Sequence, residues 1–224
     1  MKNIPYIILL TMAFSGFSVS VFAQTGEKKF FEGSIQFDVQ MKGPMAEEIK
    51  KNEPNTQLLM HLKDGNYIVQ LSGGQYPKTF IFISDSNYEY SMDMVNQRAF
   101  RFSSFSDLNK PEPQETAVAK ATGNQQEVNG ILCDEYKLRK DNALFTYYVN
   151  ESYVINACLY PAHTRAKASF LAAGLNGKIP LKTIKQESGI TVVTTATKIS
   201  PKEFDAEQFR IPSSFEVKNR DYRY

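Results

Sequence analysis

Ser34-Ile35-Gln36-Phe37-Asp38-Val39-Gln40-Met41 sets the fold class. Ile35, Phe37, Val39 and Met41 fall on one face of a two-residue repeat and Ser34, Gln36, Asp38 and Gln40 on the other, the pattern of a half-buried strand. The same period recurs outward along the chain. Leu58, Met60 and Leu62 form a second strand face, and Asp64-Gly65 turns the chain into Tyr67, Val69 and Leu71. An Asp-Gly between alternating runs marks a tight hairpin. Thr79-Phe80-Ile81-Phe82-Ile83 is apolar on both faces and reads as a central strand buried on each side. Asp85-Ser86-Asn87 turns it into Tyr88, Tyr90 and Met92, and Asn96 turns that run into Phe100 and Phe102. Consecutive strands with tight turns predict an antiparallel meander. Within it, residues 46–51 alone suggest a short helix.

The second half repeats the theme after a loop over residues 103–114 that carries Pro111 and Pro113. Asn129-Gly130 introduces a strand over 131–138, and Asp141-Asn142 turns it into 144–149. Strands over 179–185 and 190–199 meet at Ser188-Gly189. Residues 163–175 lose the two-residue period. Ala162, Ala166, Phe170 and Ala173 there suit a short amphipathic helix, stopped at Asn176-Gly177. Phe204, Phe209, Ile211 and Phe215 are expected to pack back onto the domain, with fraying from Lys218 to Tyr224. The expected class is α+β, mainly antiparallel β, in one domain over residues 24–224. Phe37, Phe80, Phe82, Tyr88, Tyr90, Phe100 and Phe102 are expected to build one aromatic face, which reads either as ordinary core or as the lining of an apolar site.

The start of the chain speaks to compartment. Met1-Lys2-Asn3 is basic, residues 4–22 are mostly apolar, and Val21-Phe22-Ala23 offers a small-residue exit, the layout of a signal peptide spanning residues 1–23. A retained anchor is the alternative, which Pro5, Ser15, Gly16, Ser18 and Ser20 disfavour. No cysteine follows the apolar run, so lipid attachment at a new N-terminal Cys is not expected. The reading is a soluble periplasmic or extracellular protein. A formal net charge of +2 supplies no electrostatic pull toward nucleic acid. Cys133 and Cys158 form the candidate disulfide, a structural staple worth ~3 kcal/mol in the chain-entropy model. It requires the segment around Cys158 to fold over the sheet. Cysteines on two strands flanking a third would sit ~9–10 Å apart, too far to bridge.

Catalytic signatures are missing. His61 and His163 stand a hundred residues apart without CxxC or HExxH spacing, so no metal site is expected. No GxSxG, GxGxxG, P-loop or EF-hand motif occurs, and no cofactor is implied. Glu47-Glu48, Asp134-Glu135 and Asp93 near Glu89 read as solvated carboxylates. The chain does not read as an enzyme.

An ordered set of signposts remains: Gly130-Ile131-Leu132-Cys133-Asp134-Glu135-Tyr136, then Gly177-Lys178-Ile179-Pro180-Leu181, then Phe209-Arg210-Ile211-Pro212. In this order they resemble the secreted bacterial family called domain of unknown function 4412, with Ser214-Phe215 a departure from its usual Gly-aromatic pair. Such domains are similar to the lipoprotein-localisation carriers of the Gram-negative periplasm. The resemblance implies a curved incomplete barrel with one or two short helices packed on it and an apolar cavity between. The function it suggests is non-enzymatic binding of a lipid or lipoprotein acyl chain. The alternative is an envelope protein-protein interaction domain using an exposed sheet face or edge, with Tyr148, Tyr153 and Tyr222 as anchors. A hydrolase ranks last.

Overall fold

The structure, a computed structural model, describes residues 30–52, 56–74, 77–86, 88–102, 118–140, 142–156 and 174–220. The elements run β1 (Gly33–Lys42), α1 (Ala46–Asn52), β2 (Gln57–Lys63), β3 (Asn66–Ser72), β4 (Lys78–Ile83), β5 (Tyr88–Asp93) and β6 (Arg98–Phe102). They continue as β7 (Lys120–Val128), β8 (Ile131–Lys140), β9 (Ala143–Val154), β10 (Lys178–Glu187), β11 (Ile190–Pro201) and β12 (Glu216–Arg220). All twelve strands share one sheet in the order β12-β6-β5-β4-β3-β2-β1-β11-β10-β9-β8-β7. The sheet is curved and open, and among the described residues no pairing of β7 with β12 closes a barrel. Every neighbouring pair is antiparallel except β12 with β6.

The turn residues explain the hairpins. Asp64-Gly65, Asn129-Gly130 and Ser188-Gly189 each place two consecutive residues at positive φ. Paired left-handed residues make the two-residue turn whose twist matches the strands it joins. They close Lys63 against Asn66, Val128 against Ile131 and Glu187 against Ile190. The helix expected over 46–51 is α1. Residues 163–173 of the expected helix, the 1–23 segment, His163, Cys158 and Tyr222 lie outside the described residues.

Two strands differ from expectation. β7 is exposed along nearly its whole length and carries no apolar alternation to betray it. The tail expected to fray from Lys218 instead continues as β12 through Arg220, paired in parallel with β6. Both sheet edges are blunted. β12 is rich in charge, and β7 is interrupted between Ala121 and Gln125, where Gly123 takes φ +81. Charges and bulges of this kind discourage edge-to-edge association.

The largest buried cluster joins Ile35, Phe37, Met60, Leu62, Tyr67, Val69 and Phe82 to Cys133, Tyr148, Ile179, Leu181 and Ala196. A second covering comes from the segment between β11 and β12. Its 3-10 turn over Ala206–Phe209 rests on β3 and β4. Phe209 packs edge-on against Phe204, which packs edge-on against His61 of β2 at 5.1 Å. Glu32 pins the segment: its Oε1 accepts from Lys63 Nζ at 2.8 Å and from the Phe204 amide at 2.9 Å.

Phe209 is 2% exposed, so Phe209→Ala deletes a ring whose space the exposed 3-10 turn refills poorly. Equilibrium urea unfolding should show a loss of about 3–5 kcal/mol. A loss below about 1 kcal/mol would mean the segment does not seal this face.

Candidate functional site

Side chains alternate along a strand, so pairing register decides which aromatics meet. Phe82 pairs with Tyr67 on one side and Glu89 on the other, and Glu89 pairs with Phe102. In the next row, Phe80 lies between Val69 and Ser91, and Ser91 pairs with Phe100. Tyr88 and Tyr90 pair instead with Ile83 and Ile81. The seven expected lining residues therefore do not form one face. Phe37, Phe80, Phe82, Phe100 and the register position of Phe102 share what we term the phenylalanine face. Tyr88 and Tyr90 belong to the reverse side, the tyrosine face. There Ile81, Tyr90, Met92 and Ala99 form a core cluster with Tyr88, Ile211 and Phe215 packed on it, and Arg101 lies over the Tyr88 ring at 4.5 Å.

Phe37 and Phe82 are core residues, at 4% and 0% exposure. Phe80 and Phe100 are half-buried. Between them in the row stands Ser91, also half-buried, a small residue whose two cross-strand neighbours are both phenylalanines. One row along stands Glu89, between Phe82 and the position of Phe102.

Glu89 is the chemical anomaly of this face. Its Oε2 accepts a 2.5 Å hydrogen bond from the Tyr67 hydroxyl, and the Tyr67 ring stacks on Phe82 at 5.3 Å. Among the described residues no lysine or arginine pairs with it. Burial pushes the Glu89 carboxyl up from its ordinary value, and the Tyr67 hydroxyl, which favours the charged form, offsets only part of that rise. A carboxylate has room for about four donors. Tyr67 supplies one.

Glu135 of β8 shows the opposite solution. Thr122 Oγ1 (2.9 Å), Tyr148 OH (3.0 Å), Asn124 Nδ2 (3.3 Å) and Lys137 Nζ (3.2 Å) all surround its carboxylate. Burial alone would raise it, but these donors outweigh burial and hold it down to about 2. Glu135 is a closed structural knot.

The other carboxylate pairs do not converge. Asp134 accepts from Gln125, Asp93 from Asn96, and Glu47 from Lys50. Glu89 and Asp93 lie four residues apart along one strand, ~13 Å, too far for a dyad. His61 Nδ1 is buried without a partner, and burial, seconded by the Lys202 charge, lowers its proton affinity. Among the described residues no three His, Cys, Asp or Glu side chains gather as a metal site. Cys133 carries a free thiol at 0% exposure, its Sγ–H pointing to the Ile131 carbonyl at 3.4 Å, while Cys158, its expected partner, lies outside the described residues. Tyr148, at 9% exposure, and Tyr153, packed edge-on against Phe31, are core contacts and not the exposed anchors expected. The signpost residues Cys133, Leu181 and Phe209 are likewise core. An open depression of about 300 Å3 lies at the other end of the meander, lined by Gln36, Gln57, Leu59, Gln70 and Thr79 among others. It holds none of the predicted aromatic residues.

No protein-family model and no curated protein matches the chain. Solved structures resemble it in path. PNGF-II aligns at 12% identity and TM-score 0.47 over 85% of this chain and 32% of its own, so the chain spans about a third of that protein. An uncharacterized conserved protein from Thermus thermophilus aligns at 10% identity and TM-score 0.48, over 84% of this chain and 91% of its own. The Mycobacterium tuberculosis lipoprotein LppX aligns at 8% identity and TM-score 0.34, over 78% and 89%. None of these likenesses assigns a family, an activity or a ligand.

The two glutamates should answer substitution with opposite signs. Glu89 has a raised native pKa, so its ionisation costs stability progressively as pH rises above the ordinary value of 4.5. Glu89→Gln should raise Tm at pH 7, with the gain shrinking as pH falls below 4.5. Glu135 has a depressed native pKa, so it stabilises above 4.5 and loses that contribution as pH falls toward about 2. Glu135→Gln should lower Tm at pH 7 and converge with the parent in acid. Calorimetric Tm against pH for both variants reads this directly; shifts of the same sign at pH 7 would contradict it.

Proposed function

We propose that this chain is a non-enzymatic binding domain of the cell envelope that takes an apolar ligand, a lipid or lipoprotein acyl chain, against its phenylalanine face. The observation that carries this is the row Phe80, Ser91, Phe100, a small residue between two half-buried rings beside the fully buried Phe82, which we read as an apolar slot. A serine flanked by two half-buried rings offers an aliphatic chain apolar walls and a depth of about one side chain. Each buried methylene contributes ~0.8 kcal/mol, so a chain of ten or more carbons gains enough to outweigh the cost of immobilising it. Tyr88 and Tyr90 are excluded from the lining because they pack beneath Ile211 and Phe215 on the reverse side. The interaction-domain reading is weaker, since Tyr148 and Tyr153 are held in the core.

Native mass spectrometry of protein purified from a bacterial envelope, then delipidated and offered decanol, tests the proposal. A co-purifying lipid and stoichiometric decanol uptake are expected. Ser91→Leu fills the slot and should cut decanol affinity at least about tenfold while keeping the parent's far-UV circular dichroism. Protein that carries no lipid and takes up no decanol would sink the reading.

A further inference from the structure

We infer that Glu89 is a head-group receptor: the slot selects amphiphiles that carry a hydrogen-bond donor, an ammonium or hydroxyl, over those that carry a carboxylate. The inference rests on the apolar reading of the same slot and sharpens its ligand class.

Position comes first. Glu89 is cross-strand neighbour to Phe82 and sits one row from Phe80, Ser91 and Phe100, so its carboxyl lies within a side chain's length of the slot. Its surroundings are otherwise apolar or neutral: Tyr67 and Phe82 on one side, the Phe102 position on the other. Electrostatics comes second. Oε2 takes the Tyr67 proton donor at 2.5 Å, while the structure gives Oε1 no donor among the described residues. Charged groups of the neighbouring strands on the same face have partners of their own: Asp93 accepts from Asn96, and Glu216 takes both Arg98 at 3.3 Å and Lys218, the register partner of Phe100, at 3.2 Å. A donor arriving with an apolar ligand would meet a poorly hydrated acceptor with unused capacity, where a charged hydrogen bond is worth more than in water. A carboxylate head would meet repulsion and leave Oε1 as it was.

Tyr67 is the positioning residue. At 1% exposure and stacked on Phe82, it holds the Glu89 carboxyl in one orientation through its hydroxyl, so Oε1 presents without rotamer search. Glu135, with four donors already in place, has no such capacity and is not a second receptor.

Isothermal titration of the full chain with decylammonium, decanol and decanoate, each below its micelle concentration at pH 7, decides the matter. Decylammonium and decanol should bind at least about tenfold tighter than decanoate. In Glu89→Gln the carboxamide is neutral and both donates and accepts, so the three affinities should converge to within about threefold. Because this variant removes a buried charge, it should fold at least as well as the parent. Equal affinities for all three probes in the parent protein, or an unchanged preference in Glu89→Gln, would overturn the assignment to Glu89 while leaving the apolar slot standing. Failure of all three probes to bind would overturn the slot itself.

Discussion

The closure of Ile83 against Tyr88 sets the parity of every residue that follows in the meander. A strand has two faces and a period of two, so sliding that pairing by one residue would exchange them wholesale. Tyr88 and Tyr90 would join the phenylalanines, and Glu89 would turn to the face now held by Ile81 and Met92. The connection is held in place locally. The Ser84 amide donates to Asn66 Oδ1 at 2.9 Å, tying the turn back to β3, and Ser86 Oγ donates to the Ile83 carbonyl at 3.2 Å. The tight Asp64-Gly65 turn, itself fixed by its left-handed residues, in turn presents Asn66. Register thus passes from one hairpin to the next.

The two faces defined by that parity meet different fates. On the tyrosine face the segment between β11 and β12 supplies Phe204, Phe209, Ile211 and Phe215 as a lid of apolar side chains. The segment then enters the sheet beside β6, so backbone pairing holds its far end while Glu32 holds its near end. This explains why Glu216–Arg220 forms a strand despite its polar composition. On the phenylalanine face the largest buried cluster runs from β8 through β11 and β1 to β4, and among the described residues its last member toward β5 is Phe82. Beyond Phe82 come Glu89 and Ser91, a polar and a small residue where continued apolar packing would have placed large ones.

Much of this was legible in the chain. Alternation found β1 to β6 and the strands over 131–138, 144–149, 179–185 and 190–199, because each buries one face and exposes the other. The Asp-Gly, Asn-Gly and Ser-Gly pairs located three turns for a backbone reason that needs no tertiary context. What could not be read has equally physical causes. β7 is polar on both faces and is a strand only because β8 offers it an edge. β12 depends on β6, more than a hundred residues earlier. The division of the aromatics failed at Thr79-Phe80-Ile81-Phe82-Ile83 because a run apolar on both faces carries no parity signal. Glu89, alternating with tyrosines, looks like a solvated residue until the register sets it beside Phe82.

Glu89 and Glu135 together show why burial alone does not identify a site. Each is a glutamate on a strand, withdrawn from water and touched by a tyrosine hydroxyl. Around Glu135 the protein has built four donors, so the charge is stabilised by the fold and needs nothing further. Around Glu89 it has built one, and the carboxyl stays strained toward its neutral form. A leucine or glutamine at that position would pack or bond more comfortably. A fold whose turns, registers and edges are otherwise consistent departs from its own rules here, beside the one small residue in a row of phenylalanines. Such local inconsistencies concentrate where a structure is made to meet something other than itself.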